Sequence, residues 1–228
     1  MYTLRGVTKT HRKGAETVTA VRDVDLDLAR GEWLVVQGHT GGGKTTLLNI
    51  LGGLDQPTTG TVTLDGADLT AMSEAALTRV RAEKVGVVFQ TFNLIPTLTA
   101  AENIEAGLVP LRLDPAQRRG RVADALADVG LTERAGHLPT ELSGGQQQRV
   151  GIARALAKQP KVLLADEPTG NLDEDTRDEI IEVLERVWHA HRLTLVLVTH
   201  DPVVAGRAPR VADMNRGRLT IRTKGTIA

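Results

Sequence analysis

Gly38-His39-Thr40-Gly41-Gly42-Gly43-Lys44-Thr45-Thr46 is the stretch whose reading decides the fold. It matches G-x-x-x-x-G-K-[ST], the phosphate-binding loop. Just before it runs Trp33-Leu34-Val35-Val36, an apolar tetrad long enough for a buried strand. Just after it come Leu47, Leu48, Ile50 and Leu51, with Gly52-Gly53 where a helix should stop. Strand, glycine loop and helix are the context the motif requires. Glycines without Cβ let successive backbone N–H groups curl around an anion, and the helix start adds a partial positive charge. In such a loop Lys44 reaches the β- and γ-phosphates of a nucleotide, and the Thr45 hydroxyl is placed to ligate Mg²⁺.

Working outward, residues 2–36 read as strands, with Val18, Ala20, Val24, Leu26 and Leu28 mostly alternating with polar residues. A polar loop is expected at Thr10–Glu16. Residues 61–70 read as a hairpin around Asp65-Gly66, and Val85–Phe89 as a strand ending in Gln90. From 91 to 158 the pattern becomes helical: Asp114-Pro115 is an N-cap and first turn, and Val122, Leu126 and Val129 share one face before Gly130. Strand character returns at Val162–Ala165 and at Leu193–Val198. Between them a helix shows Ile180, Ile181, Leu184, Val187 and Trp188 on one face, with acidic residues at its start. Arg207 onward reads as a hairpin around Asn215-Arg216-Gly217 and then a tail. The expectation is an α/β fold: a P-loop core with an N-terminal antiparallel β part and a mixed sheet (about 1–90 and 159–228), and an inserted α-helical subdomain (about 91–158).

Composition bounds the function. Hydrophobic residues make up 41% of the 228, but aromatics only 2%, so the core is aliphatic. Lysine plus arginine and aspartate plus glutamate number 28 each, so no global field draws in nucleic acid. Arg118, Arg119 and Arg121 form a basic cluster, but no aromatic residues interleave with it, and a solvated face is the plainer reading. Cysteine is absent, which removes disulfides and thiolate chemistry. No apolar run approaches the roughly 18 residues that span a bilayer, and Met1–Gly6 carries no signal-peptide pattern. A soluble, cytoplasmic chain is the expectation.

Two further stretches carry chemistry. Val162–Ala165 delivers Asp166 and Glu167 at a strand end, where open α/β sheets bind ligands. Asp166 is the candidate for Mg²⁺, and Glu167 for polarising an attacking water. Leu142-Ser143-Gly144-Gly145-Gln146 opens a helix with a capping box between Ser143 and Gln146. Two glycines inside that cap weaken a helix by roughly 1 kcal/mol each, and make sense where an anion must come close. Gln90 and His200 each end an apolar strand, and either is also an ordinary polar terminus. His189 and His191 are spaced wrongly on a helix for a shared metal.

Taken together, Gly38–Thr46, Gln90, Leu142–Gln146, Leu163–Glu167, Gly170–Asp173 and His200 resemble, in order and spacing, the ATPase subunit of ABC transporters. The likeness covers nearly the whole chain, and Leu-Ser-Gly-Gly-Gln is that family's signature. Leu51–Asp55 and Ala165–Asp173 look like its macrolide-exporter and lipoprotein-release branch. The resemblance implies a head-to-tail dimer in which ATP on Gly38, His39, Thr40, Gly41, Gly42, Gly43, Lys44, Thr45 and Thr46 of one copy is covered by Ser143, Gly144, Gly145 and Gln146 of the other. It implies Mg²⁺ on Thr45, Gln90 and Asp166, Glu167 as general base, His200 holding the γ-phosphate, and Asp173 bridging the copies. A membrane permease is the implied partner, with the chain peripheral on the inner face of the membrane. Two positions depart from the family pattern. Thr40 and Gly42 stand where serines are usual, and His11 is the candidate for an adenine-stacking position that is usually tyrosine. An ATPase acting on DNA is an alternative, but its relatives carry long coiled-coil or zinc insertions. A non-hydrolysing switch is another, yet Glu167 and His200 are both present. The apolar segment Thr91–Leu98 either seals the core or faces outward to dock the permease.

Overall fold

The computed structural model describes residues 1–14 and 16–222. In chain order the elements are β1 (Tyr2–Lys13), β2 (Glu16–Leu28), β3 (Trp33–Gln37), α1 (Lys44–Leu51), β4 (Thr59–Leu64), β5 (Ala67–Asp68), α2 (Glu74–Glu83), β6 (Val85–Val88), α3 (Ala100–Ala106), α4 (Pro115–Asp128), α5 (Gly144–Leu156), β7 (Val162–Asp166), α6 (Glu174–His191), β8 (Thr194–Thr199), α7 (Pro202–Arg207), β9 (Arg210–Asn215) and β10 (Arg218–Arg222). The chain divides into two compact units, Met1–Thr78 with Thr194–Ala228, and Arg79–Leu193. The helical stretch expected at 91–158 lies within the second.

The first unit holds an antiparallel sheet in the order β2-β1-β4-β5. Beside it in the sequence, β3 pairs in parallel with both β8 and β9, and β10 folds back antiparallel on β9. Strands flanked on both sides and covered on both faces read as continuous apolar runs. Trp33–Val36 and Leu195–Val198 are such runs, and all are buried. In α1, Leu47, Leu48, Ile50 and Leu51 are buried too, and Tyr2 donates its hydroxyl to the Leu51 carbonyl at 2.7 Å.

The expected polar loop at Thr10–Glu16 is instead mostly strand. Thr10, His11, Arg12 and Lys13 pair with Thr19, Val18, Thr17 and Glu16. Backbone pairing needs no buried face, so a polar ribbon rich in β-branched residues extends past the hydrophobic pattern. Register shifts between Leu4 and Thr10 also break the alternation read from the sequence: Val21 is buried, whereas Val18 is exposed. The hairpin at Asp65-Gly66 is present, and both turn residues have positive φ (53° and 80°), as its two-residue loop requires. At the chain's end, Arg207 belongs to α7, and the hairpin begins at Arg210. The expected tail from residue 223 lies outside the described residues.

In the second unit β6 and β7 pair in parallel. Helix α5 packs against α3, α4, α6 and β6, and its Val150, Ile152 and Ala153 are fully buried. Asp114 caps α4 as expected, accepting from the N–H groups of Ala116 and Gln117. Val122, Leu126 and Val129 are buried on one face.

Candidate active site

The sequence-predicted residues fall into two sets, one in each unit. In the first unit β3 ends at Gln37 and the chain turns into Gly38–Thr46, with His39, Thr40 and Gly41 exposed at the crest. Gly38 N–H donates to the Thr199 carbonyl at 3.2 Å, so the loop leaves the sheet beside the end of β8. Its back is pressed against the scaffold. At Gly43 φ is 103°, and a Cβ there would lie 2.0 Å from the Ala20 carbonyl oxygen of β2. Only glycine meets both demands. The Gly42 carbonyl accepts from Gly217 N–H in the β9–β10 turn at 3.1 Å, and the Gly217 carbonyl accepts from Arg22 N–H at 2.8 Å. Lys44 opens α1 and is buried, with its ammonium donating to the carbonyls of Gly38 (2.7 Å) and His39 (3.2 Å). Thr45 is exposed and Thr46 half-buried beside it. A rigid back, an open crest and a cation folded into the curl fit a polyphosphate.

His200 follows β8 directly. Because Thr199 pairs with Gln37, it stands at the same end of the sheet as the loop. His11 is exposed and pairs with Val18 on the β1–β2 hairpin. Two residues further along, Ala20 meets Gly43, so the hairpin that carries His11 also backs the loop.

In the second unit, buried Val162–Ala165 ends in the half-buried carboxylates Asp166 and Glu167. Glu167 has φ 46° and is followed by proline. A left-handed non-glycine residue costs roughly 1–2 kcal/mol. Gln90, exposed beyond the end of β6, donates its amide to Asn171 Oδ1 at 3.2 Å, while Asn171 Nδ2 donates back to the Gln90 carbonyl at 3.3 Å. This ties Gln90 to the turn that follows Glu167.

The capping box of α5 is present: Gln146 N–H donates to Ser143 Oγ, and Ser143 N–H to Gln146 Oε1. Gly145 has a reason that the sequence did not disclose. A Cβ there would lie 2.5 Å from Thr176 Cγ2 on α6, so this glycine is required by packing. Asp173 caps α6, accepting from Thr176 N–H and from its hydroxyl. Those bonds, the backbone one first, hold its carboxyl below the usual range.

Three residues missed in the sequence organise the segment after Gln90. Asn103, fully buried, accepts from Ile95 N–H at 2.7 Å and donates to the carbonyls of Ile95, Leu98 and Thr99. Arg154 donates to the carbonyls of Phe92 (2.8 Å) and Asn93 (2.5 Å). Gln148 donates to the Phe89 carbonyl at 3.4 Å. Polar residues at buried helix positions are the signal that could have found them. Between these pins Phe92, Leu94 and Leu98 are half-buried and Ile95 is 45% exposed, so part of the segment's apolar surface faces outward.

In the basic cluster on α4, Arg118 pairs with Glu105 and Arg121 donates to the Lys158 carbonyl, while Arg119 is exposed. His191 pairs with Asp128 at 2.8 Å. Both Arg121 and that pair line a cleft of about 510 Å³ that contains none of the candidate residues.

The profile of the ABC transporter family matches residues 21–170. The chain belongs to this family. Its fold agrees with that of another ABC cassette, MJ0796 of Methanocaldococcus jannaschii, in a dimeric post-hydrolysis state bound to ADP and Pi. The TM-score is 0.89 at 41% identity, covering 98% of each chain. The macrolide export ATP-binding/permease protein MacB 1/2 of Paracoccus denitrificans is 44% identical over 95% of this chain. The methionine import ATP-binding protein MetN of Corynebacterium diphtheriae is 46% identical over 94%. This chain spans 32% and 63% of those two proteins. As an ABC ATPase it binds and hydrolyses ATP, and it is the motor subunit of a transporter. No helix among the described residues is long and apolar enough to cross a membrane.

Proposed function

We propose that this ABC ATPase works as an ATP-closed, head-to-tail dimer of two copies, driving a separately encoded membrane permease of export or lipoprotein-release type from the inner face of the membrane. The observation that carries it is Glu167: a carboxylate at the end of β7, next to Asp166, held in a left-handed backbone that its own chemistry does not favour. Such outliers persist where the surrounding structure over-determines them, commonly at catalytic positions.

In this reading Gly38–Thr46 binds the triphosphate through backbone N–H groups, and Lys44 turns its ammonium from the loop carbonyls to the β- and γ-phosphates. The chemistry that Mg²⁺ would supply there is neutralisation of the charge on the phosphates. Among the described residues no three His, Asp or Glu side chains cluster as an all-protein metal cage would need. A Mg²⁺ held largely by phosphate and water needs only one or two carboxylates from the protein; Asp166 would supply one, and Thr45 and Gln90 would supply neutral oxygen donors. Glu167 accepts the proton of the water that attacks the γ-phosphorus, and His200 holds the γ-phosphate. Ser143, Gly144, Gly145 and Gln146 of the second copy cover the nucleotide, Asp173 lies between the copies, and His11 stacks on adenine. Methionine import proteins are as similar as macrolide exporters, so import is the second reading, decided by which permease copurifies with the chain.

The test is Glu167→Gln. Without the base, hydrolysis slows by about 10²-fold or more while the phosphate contacts remain. Sizing chromatography with ATP and Mg²⁺ is expected to show a dimer that persists. A monomeric variant turning over ATP at the wild-type rate would sink the assignment.

A further inference from the structure

Helix α5 begins at the signature and, within a few residues, turns one stripe of side chains toward the segment that carries Gln90. Gln148, Gly151 and Arg154 recur at intervals of three, which places them along one ridge of the helix. Each meets a carbonyl of that segment. Gln148 Nε2 lies 3.4 Å from the Phe89 oxygen, and Arg154 holds the oxygens of Phe92 and Asn93. Gly151 lacks the Cβ that would stand 3.6 Å from the Phe92 oxygen and 3.9 Å from Gln148 Oε1.

The grip is uneven. Arg154 makes short, well-formed bonds, whereas the one donated by Gln148 is long. Gln148 is completely buried, and its Oε1 has no hydrogen-bond partner. Turning the amide over would set Oε1 against the Phe89 carbonyl, so the observed orientation is the better of two poor ones. A buried amide oxygen without a partner is destabilising, and such groups are rare in folded proteins.

The segment facing it is strained. Phe92 and Asn93 are consecutive left-handed residues, with φ of 57° and 49°. Among the described residues the one backbone–backbone hydrogen bond inside Gln90–Asn93 is the tight turn from Asn93 N–H to the Thr91 carbonyl at 2.5 Å. A half-satisfied amide thus lies against a strained stretch of backbone that has few hydrogen bonds of its own.

We propose that Gln148 is a positioning residue for Gln90, whose buried amide exchanges hydrogen-bond partners with the Phe89–Asn93 backbone so that the signature helix sets where Gln90 stands during turnover. The unpartnered Oε1 is the acceptor for a segment N–H in the second arrangement, and the long bond to Phe89 is the one given up. Gln148 touches no nucleotide and acts only through its neighbour. The inference rests on the reading of Gln90 as a catalytic, metal-sensing residue.

The experiment uses the full chain and compares wild type, Gln148→Met, Gln90→Ala and the double variant. Methionine matches glutamine in length and removes both polar atoms, so it also removes the unpartnered oxygen. The expected result is a melting temperature equal to or above wild type, unchanged affinity for ATP, and kcat lowered roughly 3- to 30-fold, the span of coupling effects from residues that contact no ligand. In the double variant kcat is expected to equal that of Gln90→Ala, because both changes act on one step. Wild-type kcat in Gln148→Met overturns the proposal, as does a loss that multiplies with that of Gln90→Ala. Gln148→Leu is the second apolar variant. If neither it nor Gln148→Met folds, the amide is a structural pin and the proposal fails. Wild-type kcat in Gln90→Ala alone would instead remove the reading of Gln90 on which the proposal stands.

Discussion

Lys158 follows the end of α5 with its ammonium largely withdrawn from water, donating to the Arg81 carbonyl at 3.0 Å. Burial pushes its pKa from 10.5 down to about 8, and nearby Arg154 acts in the same direction. The unfolded chain keeps this proton to about the ordinary value, while the folded chain releases it near 8. Between those values unfolding takes up a proton, so this residue makes stability rise with pH. Tyr2 works the other way, since burial raises its phenol well above the ordinary value and opposes stability only at still higher pH. The window to examine therefore runs from about pH 8 to 9.5. Urea unfolding across it is expected to show wild type gaining on Lys158→Met. Parallel curves for the two proteins would mean that the ammonium is solvated after all. At the same scale, Gly145 shows how a signature residue can carry two demands, since its missing Cβ is filled by Thr176 whether or not an anion approaches from outside.

The irregular segment between β6 and α3 is ordered by buried polar side chains rather than by apolar packing. Asn103 satisfies four backbone groups of Ile95, Leu98 and Thr99 at once. Asn103→Ala would strip the side-chain partner from the Ile95 N–H and the Leu98 carbonyl, while the Ile95 and Thr99 carbonyls keep the N–H groups of Leu98 and residue 103. It is expected to cost about 2–3 kcal/mol in urea unfolding. Amide exchange at Ile95 should quicken in parallel. A loss below about 0.5 kcal/mol, the range of ordinary surface substitutions, would mean that the segment is held by something else. This element also marks where the sequence stopped being legible. The strand, loop and helix over 33–51 were readable because an apolar run, a glycine pattern and an apolar periodicity coincide there. So was the Ser143 cap, whose partners are three residues apart. Helix α2 was not, because only Leu77 and Val80 of its ten residues are buried and no stripe stands out. The hairpin beyond Thr10 was hidden for the same reason, being paired through backbone alone. Asn103, Arg154 and Gln148 act on carbonyls 4 to 62 positions away, and no local pattern encodes such a set of contacts. The left-handed Glu167 was equally invisible, although its carboxylate was readable as a strand end.

For the molecule as a whole, the consequence of that segment is a surface. Ile95 is 45% exposed and Leu138 36%. The two stretches approach each other at the start of α3, where Ala100 N–H donates to the His137 carbonyl. Apolar side chains on a backbone pinned from behind suit a short amphipathic helix of a membrane partner. Leu94→Asp with Ile95→Asp is expected to abolish copurification of the permease while leaving the melting temperature and the ATPase of the isolated subunit close to wild type. A collapse in melting temperature with the permease still bound would return these side chains to the core. ATP binding and permease shape would then bias a common equilibrium through Gln90, each altering the affinity for the other by the same factor.

The hydrogen bond from Gly217 to Gly42 has a consequence for how the protein is made. The phosphate loop emerges early from the ribosome, but its neighbours do not. Strand β3 lies between β8 and β9, and the turn that supports Gly42 comes after both. At typical elongation rates the interval between Lys44 and Gly217 is roughly 10–35 s. Throughout it the nascent chain carries a nucleotide motif without the strands that shape it. Residues 79–193, by contrast, hold the strand partner of β6 and the helices that pack on α5 within their own span. Translation therefore supplies the neighbours of α5 before those of the phosphate loop, and a chain interrupted before Gly217 lacks the bond that supports Gly42.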